Sequence, residues 1–416
     1  MQRAITNKLT LDVAYVGVHG YNEAHSVDLN QPALGTGWNP SSATQTIFAT
    51  GCLGGNLANP VAPTQISPTT TCAPDKTAIT NGRPYNQQFP YFGYILQTQS
   101  GFVSNYDALQ MTLDSRNFHG LNFLTAYTYG HALDDWTKSS QNTSAEANPA
   151  NPQYQYGNSD MDVRHRLRFS PTYAIPGIKS PGQMLEGWQL SAIWALQTGF
   201  AWAPNDQSAN DWGGTGETGN PIARPNQGVW QSWNYSGPKS AFSNAGDTPI
   251  PCYGALPLCT PWSTAGAPTA GTAAIWNTCS AAAQTPYSTT LQKDLAVAAL
   301  LSSKGACYIQ NGGVLTPPAY GTLGNASRGL FTGPTFQNVD VSLQKMWHFK
   351  ERYTAQLRIE CYNVFNHTNF AQFSDGSADP TVGQGGATPF GFSTTGQQLS
   401  GVSSNRQFQF GLKLAF

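Results

Sequence analysis

Three observations predict an all-β chain forming the antiparallel wall of a transmembrane β-barrel. They are a terminal strand with one wholly apolar face, connections that alternate between short and long, and a charged fraction of only 10%. Residues 407–416 (QFQFGLKLAF) place Phe408, Phe410, Leu412, Leu414 and Phe416 on one side of a strand and Gln407, Gln409, Gly411 and Lys413 on the other. A period of two marks a strand with one apolar and one polar face. In an outer-membrane barrel the apolar face meets lipid. A terminal strand of a soluble sandwich would show the same pattern, so the other two observations have to separate the cases.

Alternation along the chain predicts about eight long strands, at 7–20, 102–116, 119–131, 161–175, 185–201, 335–348, 351–365 and 403–416. Each is long enough for a tilted crossing, which takes about 9 to 11 residues. In the second, Leu109, Met111 and Leu113 oppose Gln110, Thr112 and Asp114; in the fourth, Leu167, Phe169, Tyr173 and Ile175 oppose Arg166, Arg168 and Thr172. Trp188, Leu190, Trp194 and Leu196 likewise oppose Gln189, Ser191 and Gln197, and Tyr353, Leu357 and Ile359 oppose Gln356, Arg358 and Glu360. A Lys or Arg facing lipid at mid-bilayer costs about 2–4 kcal/mol, so a barrel wall requires this segregation. Lys345 breaks it, but near a strand end it can snorkel to the interface.

The connections then run long (21–101), short (117–118), long (132–160), short (176–184), very long (202–334), short (349–350) and long (366–402). Short periplasmic turns and long extracellular loops are the rule for such barrels. With the carboxyl terminus in the periplasm, every short connection falls on that side. A sandwich has no reason to alternate in this way. The whole chain, 1–416, therefore reads as a single barrel region carrying one large loop insert, 202–334.

The insert holds Trp202, Trp212, Trp230, Trp233, Trp262 and Trp276 among many Gly, Pro and Asn residues. A connection of that length folds on itself or is disordered, and its cysteines favour folding. Cys52 and Cys72, Cys252 and Cys259, and Cys279 and Cys307 are close enough in sequence to bridge and lie in loop-like stretches, although spacing leaves the connectivity open. Paired loop cysteines suit an oxidising, extracytoplasmic setting. Cys361 is the odd one, on a predicted strand. Residues 291–301 (LQKDLAVAALL) predict one short helix packed within the insert.

The formal net charge of −1 lacks the basic excess of a nucleic-acid surface. No apolar run approaches the roughly 18 residues of a helical span. The mean hydropathy of −0.35 would suit a soluble protein, but barrels look the same because every second residue faces the lumen. Residues 1–20 show no charged start, apolar run and small-residue cleavage site, so no secretory signal is expected there.

Several strings are familiar together: LDVAYVGVHG followed by DLNQP (11–20, 28–32), NYDALQMTLDSRNFHGLNFLTAYTYGHALDD (105–135), DVRHRLRFSPTYAIP (162–176), GWQLSAIWALQTG (187–199), LRIECYNVFNHTNF (357–370) and RQFQFGLKLAF (406–416). They resemble the carboxyl-terminal barrel of TonB-dependent receptors, of the Oar-like group common in acidobacteria. The likeness covers most predicted strands and little of 33–90 and 205–325. It implies a twenty-two-stranded outer-membrane barrel closed by a plug, with energy relayed by TonB. The chain departs from that pattern in showing no plug or TonB box and only part of the strands, so the reading expects a piece of a longer receptor, with TonB reached through a plug absent from this chain. The spacing of Gln409, Gly411, Leu414 and Phe416 is similar to the terminal signal read by the bacterial barrel assembly machinery. Those residues, together with outer-membrane lipid, are the expected assembly contacts.

Candidate chemistry is sparse. Asp160, Asp162 and His165 have ligand-like types, yet with Arg164 and Arg166 beside them they read as an ion-pair patch rather than a metal site. Arg164, Arg166 and Arg168 form a ladder that would face the lumen, as would Arg358 and Glu360, facing a plug or an anionic substrate. Acid- and Gly-bearing stretches at 205–220 and 374–386 have no EF-hand spacing and read as turns. Nucleophile-elbow, zinc-protease and phosphate-cradling motifs are absent. His19, His25, His119, His131, His348 and His367 are scattered, and Asp134 and Asp135 read as loop carboxylates. Loop tryptophans could stack on a sugar but more often pack inside a loop. The expectation is therefore a transporter or surface-binding barrel that is no enzyme and has no cofactor, metal or nucleic-acid partner. A surface adhesion barrel without transport and a secreted soluble β-protein remain as alternatives.

Overall fold

A computed structural model describes residues 1–38, 74–118, 120–135, 148, 150–206, 211–216, 231–243, 249–261, 270–302, 304–349, 352–370, 390 and 405–416. The first seven strands are β1 (Gln2–Thr6), β2 (Leu9–Asp28), β3 (Leu96–Phe118), β4 (Leu121–Asp134), β5 (Gly157–Asn158), β6 (His165–Ala174) and β7 (Trp188–Gln197). The insert adds β8 (Ala201–Trp202), β9 (Asn205–Asp206), β10 (Gln231–Ser232), β11 (Asn234–Ser236), β12 (Cys252–Gly254), β13 (Ala306–Gln310), β14 (Gly313–Thr316) and β15 (Phe331–Thr332). The chain finishes with β16 (Phe336–Phe349), β17 (Tyr353–Tyr362) and β18 (Gln407–Ala415). Helices are α1 (Lys76–Gly82), α2 (Ala270–Gln284) and α3 (Thr290–Leu301). No helix among the described residues is long and apolar enough to cross a membrane.

Ten strands make one antiparallel sheet in the order β1-β2-β3-β4-β6-β7-β16-β17-β18, with β5 paired to β4. It is an up-and-down meander whose edges, β1 and β18, do not pair with each other, so the sheet is open rather than a closed barrel. Connections 7–8, 119–120, 175–187 and 350–352 lie at one end of the strands, and 29–95, 135–164, 198–335 and 363–406 at the other.

Register gives the sheet two different faces, because residues paired across antiparallel strands point the same way. One row runs Leu11, Leu113, Thr125, Phe169, Trp194 and Val339 across six strands. Another runs Tyr173, Leu190, Leu343, Ile359 and Phe410. The opposite face carries Ala126, Arg168, Ala195 and Asn338 in one row and Gln189, Gln344, Arg358 and Gly411 in another. On the apolar face, Phe408, Phe410, Leu412 and Leu414 of the edge strand β18 are 63–70% exposed. Covering one such side chain is worth about 1.5–3 kcal/mol, so this face calls for an apolar neighbour outside the chain.

Two features differ from the sequence expectation. The first predicted strand, 7–20, is split: β1 precedes a tight turn at 7–8, and β2 continues to Asp28. The stretch 21–101, expected as loop, contributes 21–28 and 96–101 to a ladder that continues across register shifts between Gly20 and Ala24. Those extensions (YNEAHSVD and LQTQSG) carry polar residues on both faces, so no apolar period marks them.

Lys345 also behaves differently from the expectation of snorkelling into water. It is fully buried on the apolar face. Its ammonium donates to Glu186 O and, at 3.0 Å, to Met346 O. It also lies 4.7 Å from the Trp347 ring centroid and 5.7 Å from that of Trp188. The strand-end carbonyls and two indoles take the place of water around the charge.

The large sheet contributes little enclosed core. The main buried cluster lies in the insert, built on Trp202, Trp212, Trp233, Phe242, Leu300, Leu315 and Phe331. Four strands in the order β11-β14-β13-β12 form its sheet. Buried residues of α3 and Cys279 of α2 join the cluster. Disulfides Cys252–Cys259 and Cys279–Cys307 tie this unit; Cys52 and Cys72 lie outside the described residues, and Cys361 is a free thiol on β17.

Candidate functional site

All four long connections meet in one cap over the loop end of the sheet. From 29–95, Trp38 packs on Tyr320 with ring centroids 4.2 Å apart, and its Nε1 donates to Asp211 O at 2.7 Å. Gly35 and Gly321 both have φ +85°. A Cβ on Gly35 would lie 3.3 Å from Gly321 O, so both the conformation and the close approach favour glycine. From 135–164, the Tyr154 hydroxyl donates to Gly324 O at 2.5 Å, and burial pushes its pKa up to about 12. From 363–406, the Phe390 ring centroid lies 4.6 Å from that of Tyr308. The insert therefore does not fold on its own residues alone: Trp38 and Phe390, which come from other connections, belong to its core.

Asparagine and aspartate side chains close the bases of these connections. Asp28 Oδ1 accepts from Asn30 N at 2.8 Å and Ile95 N at 3.0 Å, while Asn30 donates to Phe92 O at 3.0 Å. That is the structural role of the DLNQP string. In NVFNHTNF, Asn363 and Asn366 take φ of 47° and 51°, which Asn tolerates better than most residues. Asn363 Oδ1 accepts from His367 N and its Nδ2 donates to His367 O, each at 2.9 Å. Asn369 pairs in the same two-way manner with the backbone of Gln337, at 2.8 and 3.0 Å.

Where β4, the 135–164 connection and the insert meet, a cavity of about 650 Å³ opens. Arg164 and Asp162 lie on one wall, with Arg164 Nε donating to Asp162 Oδ2 at 2.7 Å and Arg164 Nη2 to Asn158 Oδ1 at 3.1 Å. Asp162 Oδ1 accepts from Ala132 N at 2.8 Å, and His131 Nε2 is 3.0 Å from Asn158 Oδ1. The insert supplies Lys239, Ser240, Ser243 and Arg328 to the same lining. Arg328 lies 2.5 Å from Asp134 and 3.5 Å from Asp160, which latches the insert to the rim of the sheet. Next to this latch, Asp135 is buried, and one carboxylate oxygen has no hydrogen-bond partner. Burial raises its pKa, against the Val103 N–H bond that lowers it.

The sequence-derived candidates fall in several places. Arg166 and Arg168 stand exposed on the polar face of β6, whereas Arg164 precedes the strand and turns to Asp162, so the ladder of three is a pair plus a cavity residue. Arg358 and Glu360 share the polar face of β17, 3.8 Å apart. Gln409 and Gly411 lie on the polar face of β18, Leu414 on its apolar face, and Phe416 follows the strand, 96% exposed. Asp160 and Asp162 are separated from His165, whose Nδ1 is 2.8 Å from the Tyr127 hydroxyl. No group of three or more potential metal ligands occurs among the described residues. In 205–220, Asp211 caps its own turn, accepting from Thr215 N and Gly216 N at 3.0 and 2.6 Å; 374–386, His119, Trp230 and Trp262 lie outside the described residues. The loop tryptophans Trp202, Trp212 and Trp233 are packed in the core. Lys239 and Tyr156 escaped the sequence reading because nothing local marks either; they matter only where distant connections meet.

A family model described as outer membrane beta barrel domain matches residues 1–409. No curated protein and no solved structure matches the chain.

Proposed function

Since the chain belongs to the outer membrane beta barrel domain family, and so resides in the outer membrane of a Gram-negative bacterium, we propose that it is wall and cap of a TonB-dependent receptor of the Oar-like type. In this reading the apolar face of the ten-stranded sheet meets lipid, the short connections are periplasmic, and the cap faces the medium. The cap binds a scarce solute, and TonB, acting through a plug, supplies the energy to admit it. The protein catalyses no reaction and takes no cofactor. The barrel assembly machinery engages Gln409, Gly411, Leu414 and Phe416.

The observation that carries this reading is the convergence of four long connections in one cap at one end of the wall, two of them lining a cavity with β4, with only short connections at the other end. A wall that served only as an anchor would need no shared cap. The test compares the solutes that cells remove from a defined medium when the gene is deleted and when TonB is inactivated. The same solutes left behind in both strains supports a receptor. A gene-deletion defect in surface attachment with unchanged solute removal would replace it with the adhesion reading.

A further inference from the structure

We propose that the cavity of about 650 Å³ at the base of the cap holds the uncharged sugar headgroup of an outer-leaflet glycolipid, whose acyl chain lies along the apolar stripe of β4. This extends the lipid-facing reading of the sheet and does not depend on transport. Alternate side chains of a strand share a face. On β4 the apolar face carries Phe123, Thr125, Tyr127, Tyr129, His131 and Leu133 in order towards the loop end. His131 and Leu133 line the cavity, so one of its walls continues the stripe that meets lipid. The insert part of the lining turns away from the cap's interior. Ala201 of β8 pairs with Thr332 of β15 and both line the cavity, whereas the neighbouring pair, Trp202 and Phe331, is packed in the insert core. The cavity therefore lies on the side of the insert away from that core, beyond the end of the lipid-facing stripe.

Depth and charge define the occupant. Just below the cavity, the Tyr129 and His165 ring centroids are 5.1 Å apart, and Tyr129 is 44% exposed. Rings with a polar tip collect where hydrocarbon gives way to water. Along a strand tilted by about 40°, His131 and Leu133 stand roughly 5 and 10 Å above Tyr129, the depth at which a headgroup leaves the hydrocarbon. Below it, Tyr129 to Phe123 offers a stripe of roughly 20 Å for a chain. Ionisable groups in and beside the lining leave no positive excess: Asp134, Asp135, Asp160 and Asp162 stand against Arg164, Arg328 and Lys239. A headgroup without net charge fits that balance. A zwitterion would have to compete with the Arg164–Asp162 and Arg328–Asp134 pairs, whereas sugar hydroxyls both donate and accept and bind beside them. The volume falls in the small-molecule range of about 300–1,000 Å³.

Dodecyl maltoside carrying a photoreactive diazirine on its sugar is the probe, doped into phosphatidylcholine vesicles that hold the full chain. Crosslinked peptides are then located by mass spectrometry. The expected crosslinks fall on the peptides containing His131 to Leu133 and Leu330 to Thr332. Free maltose with the same diazirine should give at least tenfold fewer, and a dodecyl phosphocholine version should not compete for the site. Tyr129→Asn, at an exposed position, should lower crosslinking severalfold and Tyr129→Phe should restore it. Gln110→Asn, on the polar face of β3, should leave it unchanged. Crosslinks spread evenly over the loop end, or an unaltered Tyr129→Asn variant, would overturn the site. Equal crosslinking by free maltose would replace the lipid with a soluble sugar, and competition by the phosphocholine amphiphile would remove the headgroup assignment.

Discussion

Asn363 shows how much one side chain contributes at the loop end of the wall. It stops β17 by adopting φ 47° and holds His367 through both amide atoms. Asn363→Ala loses the bonds and forces alanine into a left-handed conformation, for a loss of about 2–3 kcal/mol in a denaturant titration. Asn363→Gly removes the strain but not the lost bonds and should recover about a third of that. Equal losses in the two variants would contradict this division. Lys345→Met sacrifices bonds to Glu186 O and Met346 O. Removing a charge from the lipid face near an interface returns at most about 1 kcal/mol, against about 1.5–3 for a charge-assisted bond. Net destabilisation of about 2 kcal/mol is expected in lipid vesicles. At Asp135 the sign is opposite. Burial raises its folded pKa, so the folded chain binds its proton more readily than the unfolded one. Its cost to stability is fully present above the raised value and disappears as pH falls towards the ordinary carboxylate value of about 4. Asp135→Asn should therefore stabilise the cap at pH 7 and flatten this part of its pH profile, as read by hydrogen exchange; a less stable variant at pH 7 would refute the assignment.

Elements differ in how far the sequence exposed them. Strands such as β3 and β6 were legible because Leu109, Met111 and Leu113, or Leu167 and Phe169, alternate against polar neighbours across the width of a membrane. Beyond that width both faces are wet, and the extensions of β2 and β3 lost their signal although their backbone ladder continues. The cap was legible in its cysteines and tryptophans but not in its composition from several connections, since contacts such as Trp38 with Tyr320 join residues hundreds of positions apart. Cys279–Cys307 closes a 28-residue separation within the cap, and such a loop is worth about 3–4 kcal/mol. Reduction should make residues 231–332 the first to be cut by protease while β16, β17 and β18 stay protected. Simultaneous loss of both regions would show that the cap and the wall are a single cooperative unit. In β18, a Cβ on Gly411 would meet only Arg358 Cβ, at 4.0 Å, so packing does not demand glycine there. Phe416→Asp should lower the amount of protein in the outer membrane severalfold without changing the stability of what inserts, and unchanged insertion would remove the assembly role of the terminal residues.

The whole molecule has one asymmetry: a two-faced sheet, short connections at one end, and a shared cap at the other. The most direct test places a single reactive cysteine at Thr77, in α1 of a long connection, or at Ile178, in a short one, with Cys52, Cys72 and Cys361 replaced by alanine. A membrane-impermeant maleimide is then applied to intact cells. Labelling is expected at position 77 on intact cells and at position 178 only after the outer membrane is permeabilised. Labelling at 178 with 77 protected, or equal labelling of both on intact cells, would contradict it.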